Sequence, residues 1–509
     1  MILKVFKLLK IMMLLLAASL VTFLAVRAYD AFSGEPLKPW HLHVPKELST
    51  RELAKADWEM YLARENAILE ELRIEVTQKL GPEERIPSNR YFAGSPVYPG
   101  NFATDWNRSY ILEPEGDPVG AVVLLHGLTD SPYSLQYIAQ RYNELGYVAV
   151  AIRLPGHGTV PAGLTQVYWE NWSEATRLAV REARRRTHPE SPLHLVGFSN
   201  GGALAMKYAL DAMANPNLAR PDRIVLISPM IGITEMARFA GIAGWPAVFP
   251  AFARAAWLSV MPEFNPFKYN SFPINGARQS SQLTRSLQPQ IALYAREGRL
   301  GELPPILTFQ SVVDFTVSTR AVLTALYEHL PDNGSELVLF DLNRSATFGT
   351  LMRASADNLL SRILTDPPRR FKLTLITNAD PDTREVVERF TEAHAIQEQT
   401  RALGLSYPKE VFSLSHVALP LPLDDSLYGM YPEPLNQFGV SLGALAPRGE
   451  RGTLIVSLDA LVRMSSNPFF SYLLERIEEG VVEGPATNPW NSIITGACGA
   501  GPTEPVENS

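Results

Sequence analysis

Five consecutive residues, Gly197-Phe198-Ser199-Asn200-Gly201, have the types and spacing of a nucleophilic turn. They follow the apolar run Leu193-His194-Leu195-Val196 and precede a helical pattern from Gly202 to Met213. A serine on a sharp strand-to-helix turn raises its hydroxyl above the end of a sheet. The flanking glycines leave room for a strained backbone and for close helix–strand packing. A tight turn with a spectator serine has the same local pattern, so the rest of the chain must supply the chemistry. That chemistry needs a base to take the hydroxyl proton and a third group to orient the base.

For a serine on such a turn the acid and then the histidine follow in the chain. Only His329, His394 and His416 come after Ser199. His329 reads as the end of a helix, and His394 as a position on the face of a helix spanning Thr391–Ile396. His416 follows the strand-like Val411–Ser415 and opens a proline-containing loop, where it can lean over a strand-end serine. It is the candidate base. Asp314 lies just beyond the strand-like Ile306–Gln310 and is the candidate acid, although an aspartate there could equally cap the next helix. Asp341, at the end of Leu337–Phe340, is its rival. The developing oxyanion needs two backbone N–H donors. Asn200, the residue after the serine, supplies one, and Leu128, in the loop after Ala121–Leu125, supplies the other. His126 braces that loop and is not assigned as the base.

The elements that must hold these residues alternate. Strands are expected at Ser109–Leu112, Ala121–Leu125, Val148–Arg153, Leu193–Val196, Ile224–Ile227, Ile306–Gln310 and Leu337–Phe340. Helices are expected at Tyr133–Leu145, Trp169–Arg186, Asn200–Met213 and Thr316–His329. Such alternation predicts an α/β fold, with a mostly parallel central sheet covered by helices on both faces. Ligands of such sheets bind beyond the carboxyl ends of the strands, where Ser199 lies. Residues 231–303 interrupt the alternation and are rich in Phe, Trp, Pro and Ala, which predicts a helical cap over an apolar pocket. A second insertion, 343–408, contains a strand-like Lys372–Thr377 and a helix-like Asp382–Leu403.

The expected organisation is therefore a membrane segment at 1–28, a helical stalk at 29–90 opened by the capping box Ser49-x-x-Glu52, and a core at 91–230. The cap at 231–303, the second part of the core at 304–481 and a flexible tail at 482–509 follow. Lys4, Lys7 and Lys10 precede an uncharged run, Ile11 to Val26. As a helix that run spans about 24 Å, short of the roughly 30 Å of a bilayer core unless the flanking lysines snorkel. The expectation is a single-pass anchor with a cytoplasmic N-terminus and an exported body, with a cleaved signal peptide as the alternative.

At 509 residues the chain can bury a large core, and its net charge of -7 with no basic aromatic-interleaved stripe excludes a nucleic-acid partner. The single cysteine, Cys498, allows no intramolecular disulfide. Zinc-ligand and nucleotide-binding motifs are absent from the sequence, so no metal or other cofactor is expected.

Three motifs occur in order: Leu124-Leu125-His126-Gly127-Leu128-Thr129-Asp130-Ser131, Arg153-Leu154-Pro155-Gly156-His157-Gly158-Thr159 and Gly197-Phe198-Ser199-Asn200-Gly201. Together they resemble the monoglyceride lipase and serine aminopeptidase-like branch of the α/β-hydrolases. The resemblance covers roughly Ser109 to Val317 and the region around His416, and the long interval between Asp314 and His416 departs from it as an insertion. It implies serine-dependent hydrolysis of a carboxylic ester, with a cap over the site. The apolar cap and membrane segment make lipid-like esters of the monoacylglycerol type the expected small-molecule substrate. A peptidase is the nearest alternative and would need a carboxylate near the cap, such as Glu235 or Glu263, to hold a free amine. A non-catalytic membrane-anchored scaffold is the alternative of another class.

Overall fold

The computed structural model describes residues 36–232, 250–314, 316–343, 364, 366–381, 383–409, 411, 413–435, 437–443 and 465–482, with scattered positions between 6 and 22. The strands are β1 (Tyr110–Leu112), β2 (Gly120–Leu125), β3 (Tyr147–Ala151), β4 (Leu193–Phe198), β5 (Arg223–Ile227), β6 (Trp257–Ser259), β7 (Phe272–Pro273), β8 (Ile306–Ser311), β9 (Glu336–Asp341), β10 (Lys372–Asn378), β11 (Glu385–Thr391) and β12 (Gln399–Ser406). All but β6 and β7 form one sheet in the order β1-β3-β2-β4-β5-β8-β9-β10-β11-β12. From β3 through β10 every pairing is parallel, and the antiparallel pairings, β1 with β3 and the β10-β11-β12 meander, lie at the two margins. This is the expected α/β-hydrolase architecture.

Successive residues of a strand point to opposite faces, and the core divides accordingly. Ala121, Val123 and Leu125 of β2 join Leu193 and Leu195 of β4 on one face. That face is covered by α4 (Trp169–Arg185) and α5 (Asn200–Ala214). Val122 and Leu124 join Val196, Val225 and Phe309 on the other face, under α3 (Gln136–Glu144) and α7 (Phe470–Val482). β2 is apolar throughout because both faces are covered.

The expected single helix after Ser49 is two. α1 (Thr50–Leu53) carries the expected capping box, Ser49 accepting from the Glu52 N–H at 3.3 Å. Asp57 then restarts the helix as α2 (Trp58–Glu75), accepting the Met60 N–H at 2.8 Å. α2 is held to the body by a buried ion-pair network. Arg153 donates to Glu65 at 3.0 Å and to Glu47 at 2.7 Å, and Glu65 also accepts the Ser109 hydroxyl at 2.9 Å.

The reading of Asp382–Leu403 as a helix is corrected to the β11-β12 hairpin. The alternation along β11 is hidden in the sequence because an inward position is charged. Glu388 is buried and takes the Tyr472 hydroxyl at 2.8 Å and Arg401 at 2.6 Å. Pairing with β10 overrides the local helical signal. Val411–Ser415 is likewise not a strand where described, but irregular chain. Asn343 anchors it by donating to the carbonyls of Pro408, at 2.7 Å, and Val411.

In the cap, residues 233–249, including Glu235, lie outside the described residues. The rest comprises the β6-β7 ribbon and the long helix α6 (Ile274–Arg296), so it is not purely helical as expected. All of 344–363, half of the expected membrane segment 1–28 and all of 483–509 also lie outside the described residues. Among the described residues no helix is long and apolar enough to cross a membrane.

Candidate active site

β4 ends at Phe198 and α5 begins at Asn200, which leaves Ser199 alone to turn the chain. It does so at φ 55 and ψ -113, a conformation that costs a non-glycine residue on the order of 1–3 kcal/mol. The surroundings hold it there. The Ser199 N–H donates to the Ile227 carbonyl at 2.9 Å, and its carbonyl accepts the N–H groups of Gly202 and Met230 at 3.0 Å each. The glycines are required by space: a Cβ on Gly201 would overlap the Leu125 carbonyl, and one on Gly197 would overlap the Gly201 carbonyl.

Asp314 follows β8 and closes a turn there, whereas the helix that follows, Thr319–Ala325, is capped by Ser318 and not by Asp314. Oδ1 accepts the N–H groups of Thr316 at 2.8 Å and Val317 at 2.9 Å. Oδ2 lies 2.8 Å from His416 Nδ1, and the side chains of His416 and Asp314 are only 5% and 0% exposed. A carboxylate can only accept, so Nδ1 carries the hydrogen and Nε2 is the accepting nitrogen of the neutral ring. Gln310 Nε2 donates to the same Oδ2 at 2.9 Å. It is Asp314, not Asp341, that takes the Nδ1–H of His416. His329 closes a short 3-10 turn, and His394 lies in the β11-β12 connection with Nε2 3.0 Å from Asp332, both side chains exposed.

Ser199 and His416 line one cavity of about 480 Å³, together with Gly127, Leu128, Phe198 and cap residues that include Tyr269 and Phe272. That volume suits a small-molecule ligand. The His416 ring lies 5.3 Å from the ring of Phe198, the residue before Ser199. Gly127 approaches so closely that a Cβ on it would sit 3.4 Å from the Ser199 Cβ. Leu128 therefore enters the wall beside Ser199. The Asn200 N–H, first in α5, has no carbonyl four residues back within the helix to take it, and the helix dipole adds partial positive charge there.

His126 braces the Leu128 loop as expected. Its Nδ1–H donates to the Gly127 carbonyl at 2.9 Å, and its Nε2 accepts the Leu154 N–H at 3.0 Å. Burial holds this imidazole neutral, pushing its pKa down to about 3. His157 stacks edge-on against it at 5.0 Å. The Arg153-to-Thr159 motif thus joins the Leu128 loop to the stalk: Arg153 reaches α2, while the next residue, Leu154, fixes His126.

Sequence reasoning missed Gln310, Glu47, Glu65 and Lys268. Gln310 sits inside an apolar strand with no motif to mark it, and the two glutamates lie far from their partner in the chain. Glu263 does not line the cavity: it accepts the N–H groups of Asn270 at 3.0 Å and Ser271 at 2.7 Å.

Residues 116–339 match the model of the family described as serine aminopeptidase, S33. A thermostable monoacylglycerol lipase of Bacillus sp. (strain H-257) is 30% identical over 95 residues, covering 19% of this chain and 36% of the lipase. A monoacylglycerol lipase of Mycolicibacterium smegmatis is 33% identical over 101 residues, covering 19% of this chain and 35% of the lipase. The chain thus spans little more than a third of the length of these relatives. Among solved structures, a soluble variant of the monoglyceride lipase of Saccharomyces cerevisiae is similar with a TM-score of 0.33 and 14% identity, covering 45% of this chain and 80% of that one. Over residues 116–339, less than half of the chain, the sequence is thus similar to the serine aminopeptidase family, and the mostly parallel sheet is that of an α/β-hydrolase fold.

Proposed function

We propose that this protein is a serine hydrolase of carboxylic esters, with lipid-like, monoacylglycerol-type esters as its substrates. Ser199 is the nucleophile, His416 the base, Asp314 the residue that orients it, and the Leu128 and Asn200 N–H groups the oxyanion donors. The observation that carries the reading is the 2.8 Å contact between His416 and Asp314 at the cavity that Ser199 also lines.

In this mechanism Ser199 Oγ attacks the acyl carbon as its proton passes to His416 Nε2. The carbonyl oxygen becomes an oxyanion held by the two N–H groups. Collapse breaks the ester C–O bond, and the imidazolium returns the proton to the departing alcohol. Water repeats the sequence on the acyl-enzyme and releases the carboxylic acid. The mechanism needs no metal or other cofactor.

The esterase reading is favoured over the peptidase reading by the charge in the cavity. A free substrate amine would meet the ammonium of Lys268 there, and Asp130, the carboxylate beside it, lies 3.9 Å from that ammonium. The proposal extends to location: the uncharged run 11–26 behind Lys4, Lys7 and Lys10 tethers the chain to a membrane with its body exported. Sedimentation of the full-length protein with membranes after alkaline washing tests the tether.

The function is tested with the full-length protein on 4-nitrophenyl esters of increasing acyl length. Activity with a chain-length optimum, abolished by Ser199→Ala, supports a serine esterase. Equal rates in the two proteins would remove Ser199 from the mechanism. Turnover of aminoacyl anilides alone would favour the peptidase, and absence of turnover on both, with no labelling of Ser199 by a fluorophosphonate, the scaffold.

A further inference from the structure

Lys268 occupies a position in the cavity wall that the hydrolytic mechanism does not use. The backbone around it is fixed on several sides. Asn265 Oδ1 accepts the N–H groups of Phe267 and Lys268 at 3.1 Å each. The buried Arg90 donates to the carbonyls of Asn265 at 3.0 Å and Lys268 at 3.4 Å. The Tyr269 N–H donates to the Thr129 carbonyl at 2.8 Å, which ties this segment to the loop that carries Leu128.

From that backbone the Lys268 side chain, 16% exposed, reaches into the same cavity as Ser199 and His416. Its Nζ lies 4.9 Å from the centre of the Tyr428 ring and 5.9 Å from that of Phe198. The nearest carboxylate oxygen, Asp130 Oδ1, is 3.9 Å away, too far for a hydrogen bond, and already takes the Ser134 hydroxyl at 2.7 Å. Asp130 is itself buried, so it balances part of the charge without filling the ammonium's donors. Among the described residues Lys268 Nζ makes no hydrogen bond. A largely desolvated ammonium with three unfilled donors is costly unless an acceptor arrives. An anionic acceptor gains the most, because charge-assisted hydrogen bonds are the strong ones. The facing rings favour the cation and leave the cavity side as the approach for its partner.

We propose that Lys268 is a specificity determinant for esters that carry a carboxylate near the scissile bond, with the ammonium binding that carboxylate while Ser199 attacks the ester. The proposal rests on the esterase reading and goes beyond the neutral monoacylglycerol-type esters named there, adding esters whose body fits the cap wall and whose charged end meets Lys268.

The test uses two matched pairs. Mono(4-nitrophenyl) succinate against 4-nitrophenyl butyrate places the carboxylate on the acyl side, and 4-acetoxybenzoate against its methyl ester places it on the leaving-group side. The quantity read is the ratio of kcat/KM for the anionic to that for the neutral ester. Lys268→Met is expected to lower this ratio at least tenfold in one pair, the scale of a hydrogen bond to a charged group. Lys268→Arg, which keeps the charge, is expected to retain most of it. An unchanged ratio in both pairs overturns the proposal. If Lys268→Met fails to fold, Lys268→Gln combined with Asp130→Asn removes both charges and carries the same expectation. Binding of monobutyl succinate to Ser199→Ala, followed by calorimetry, reads the subsite without turnover. Binding weakened at least tenfold by Lys268→Met supports the subsite even if no ester is hydrolysed, an outcome that would sink the esterase reading alone. Equal binding overturns the subsite.

Discussion

Asp314 Oδ2 lies 2.8 Å from His416 Nδ1 although the two residues are 102 positions apart, and the same carboxylate caps its own turn through Oδ1. This division of labour makes Asp314→Asn informative. The amide keeps an acceptor oxygen for Thr316 and Val317, so the fold should survive. Its NH2 group facing His416 would favour the wrong imidazole tautomer. A loss in kcat on the order of 10⁴, with little change in KM and in the urea midpoint, is expected on that ground. Steady-state kinetics and denaturant unfolding of the same preparation check it. A drop in stability matching the drop in rate would assign Asp314 a capping role only.

Gly201 is the tightest point beneath Ser199, since a Cβ there would overlap the Leu125 backbone carbonyl. Neither partner is the end of a flexible side chain, so relief requires α5 to move away from β2. Gly201→Ala should destabilise the protein by at least about 1–3 kcal/mol. It should also displace the Asn200 N–H, lowering kcat beyond any loss of folded protein. Unfolding midpoints and active-site titration separate the two effects.

How far the sequence carries the site depends on what each residue contacts. Ser199, Leu128 and Asn200 belong to short motifs whose neighbours in the chain are also their neighbours in space, so strand, turn and helix could be read together. His416 could be proposed only as a histidine beyond a strand, and that strand is irregular chain held by Asn343, a residue 68 positions from one of its partners. The β11-β12 hairpin was misread because its inward Glu388 finds Tyr472 only in the folded protein, 84 positions away. Lys268 has no local signal at all: the loop that aims it is fixed by Arg90, 175 positions from its carbonyl partner at Asn265. Periodicity reports burial along one element, whereas these contacts are set by tertiary packing.

Arg153 is 1% exposed and its partner Glu65 2% exposed, in a network that also holds Glu47 and Ser109. Removing the cation while leaving the buried Glu65 and the partly buried Glu47 is expected to cost about 3–5 kcal/mol. Arg153→Met should therefore show a large fall in unfolding free energy. Glu65→Gln keeps a hydrogen-bonding group against Ser109 and should cost less. Because Leu154 N–H fixes His126 at 3.0 Å, the folded fraction of Arg153→Met should also turn over more slowly. A difference of less than about 1 kcal/mol between Arg153→Met and wild type would mean that the network adds no more than exposed ion pairs do.

Buried histidines give stability a pH dependence of defined sign. Burial lowers the pKa of His126 and His194 to about 3 and that of His41 to about 4. In the unfolded chain each takes a proton near pH 6.5, while in the folded protein it stays neutral to much lower pH. The unfolded state then binds more protons, so this contribution to stability is complete above about pH 6.5 and is lost as pH falls toward these folded values. Asp130, Glu263 and Asp425, raised by burial, act in the opposite sense, with stability lost as pH rises. The clean quantity is therefore a difference between two proteins. His194 meets the Tyr142 hydroxyl at 3.2 Å, a contact that His194→Asn can replace without a titrating ring. Between pH 7.5 and pH 5, wild type should lose about 2 kcal/mol more than His194→Asn. Urea unfolding at the two pH values measures it, and parallel losses in the two proteins would show that His194 is protonated in the folded state.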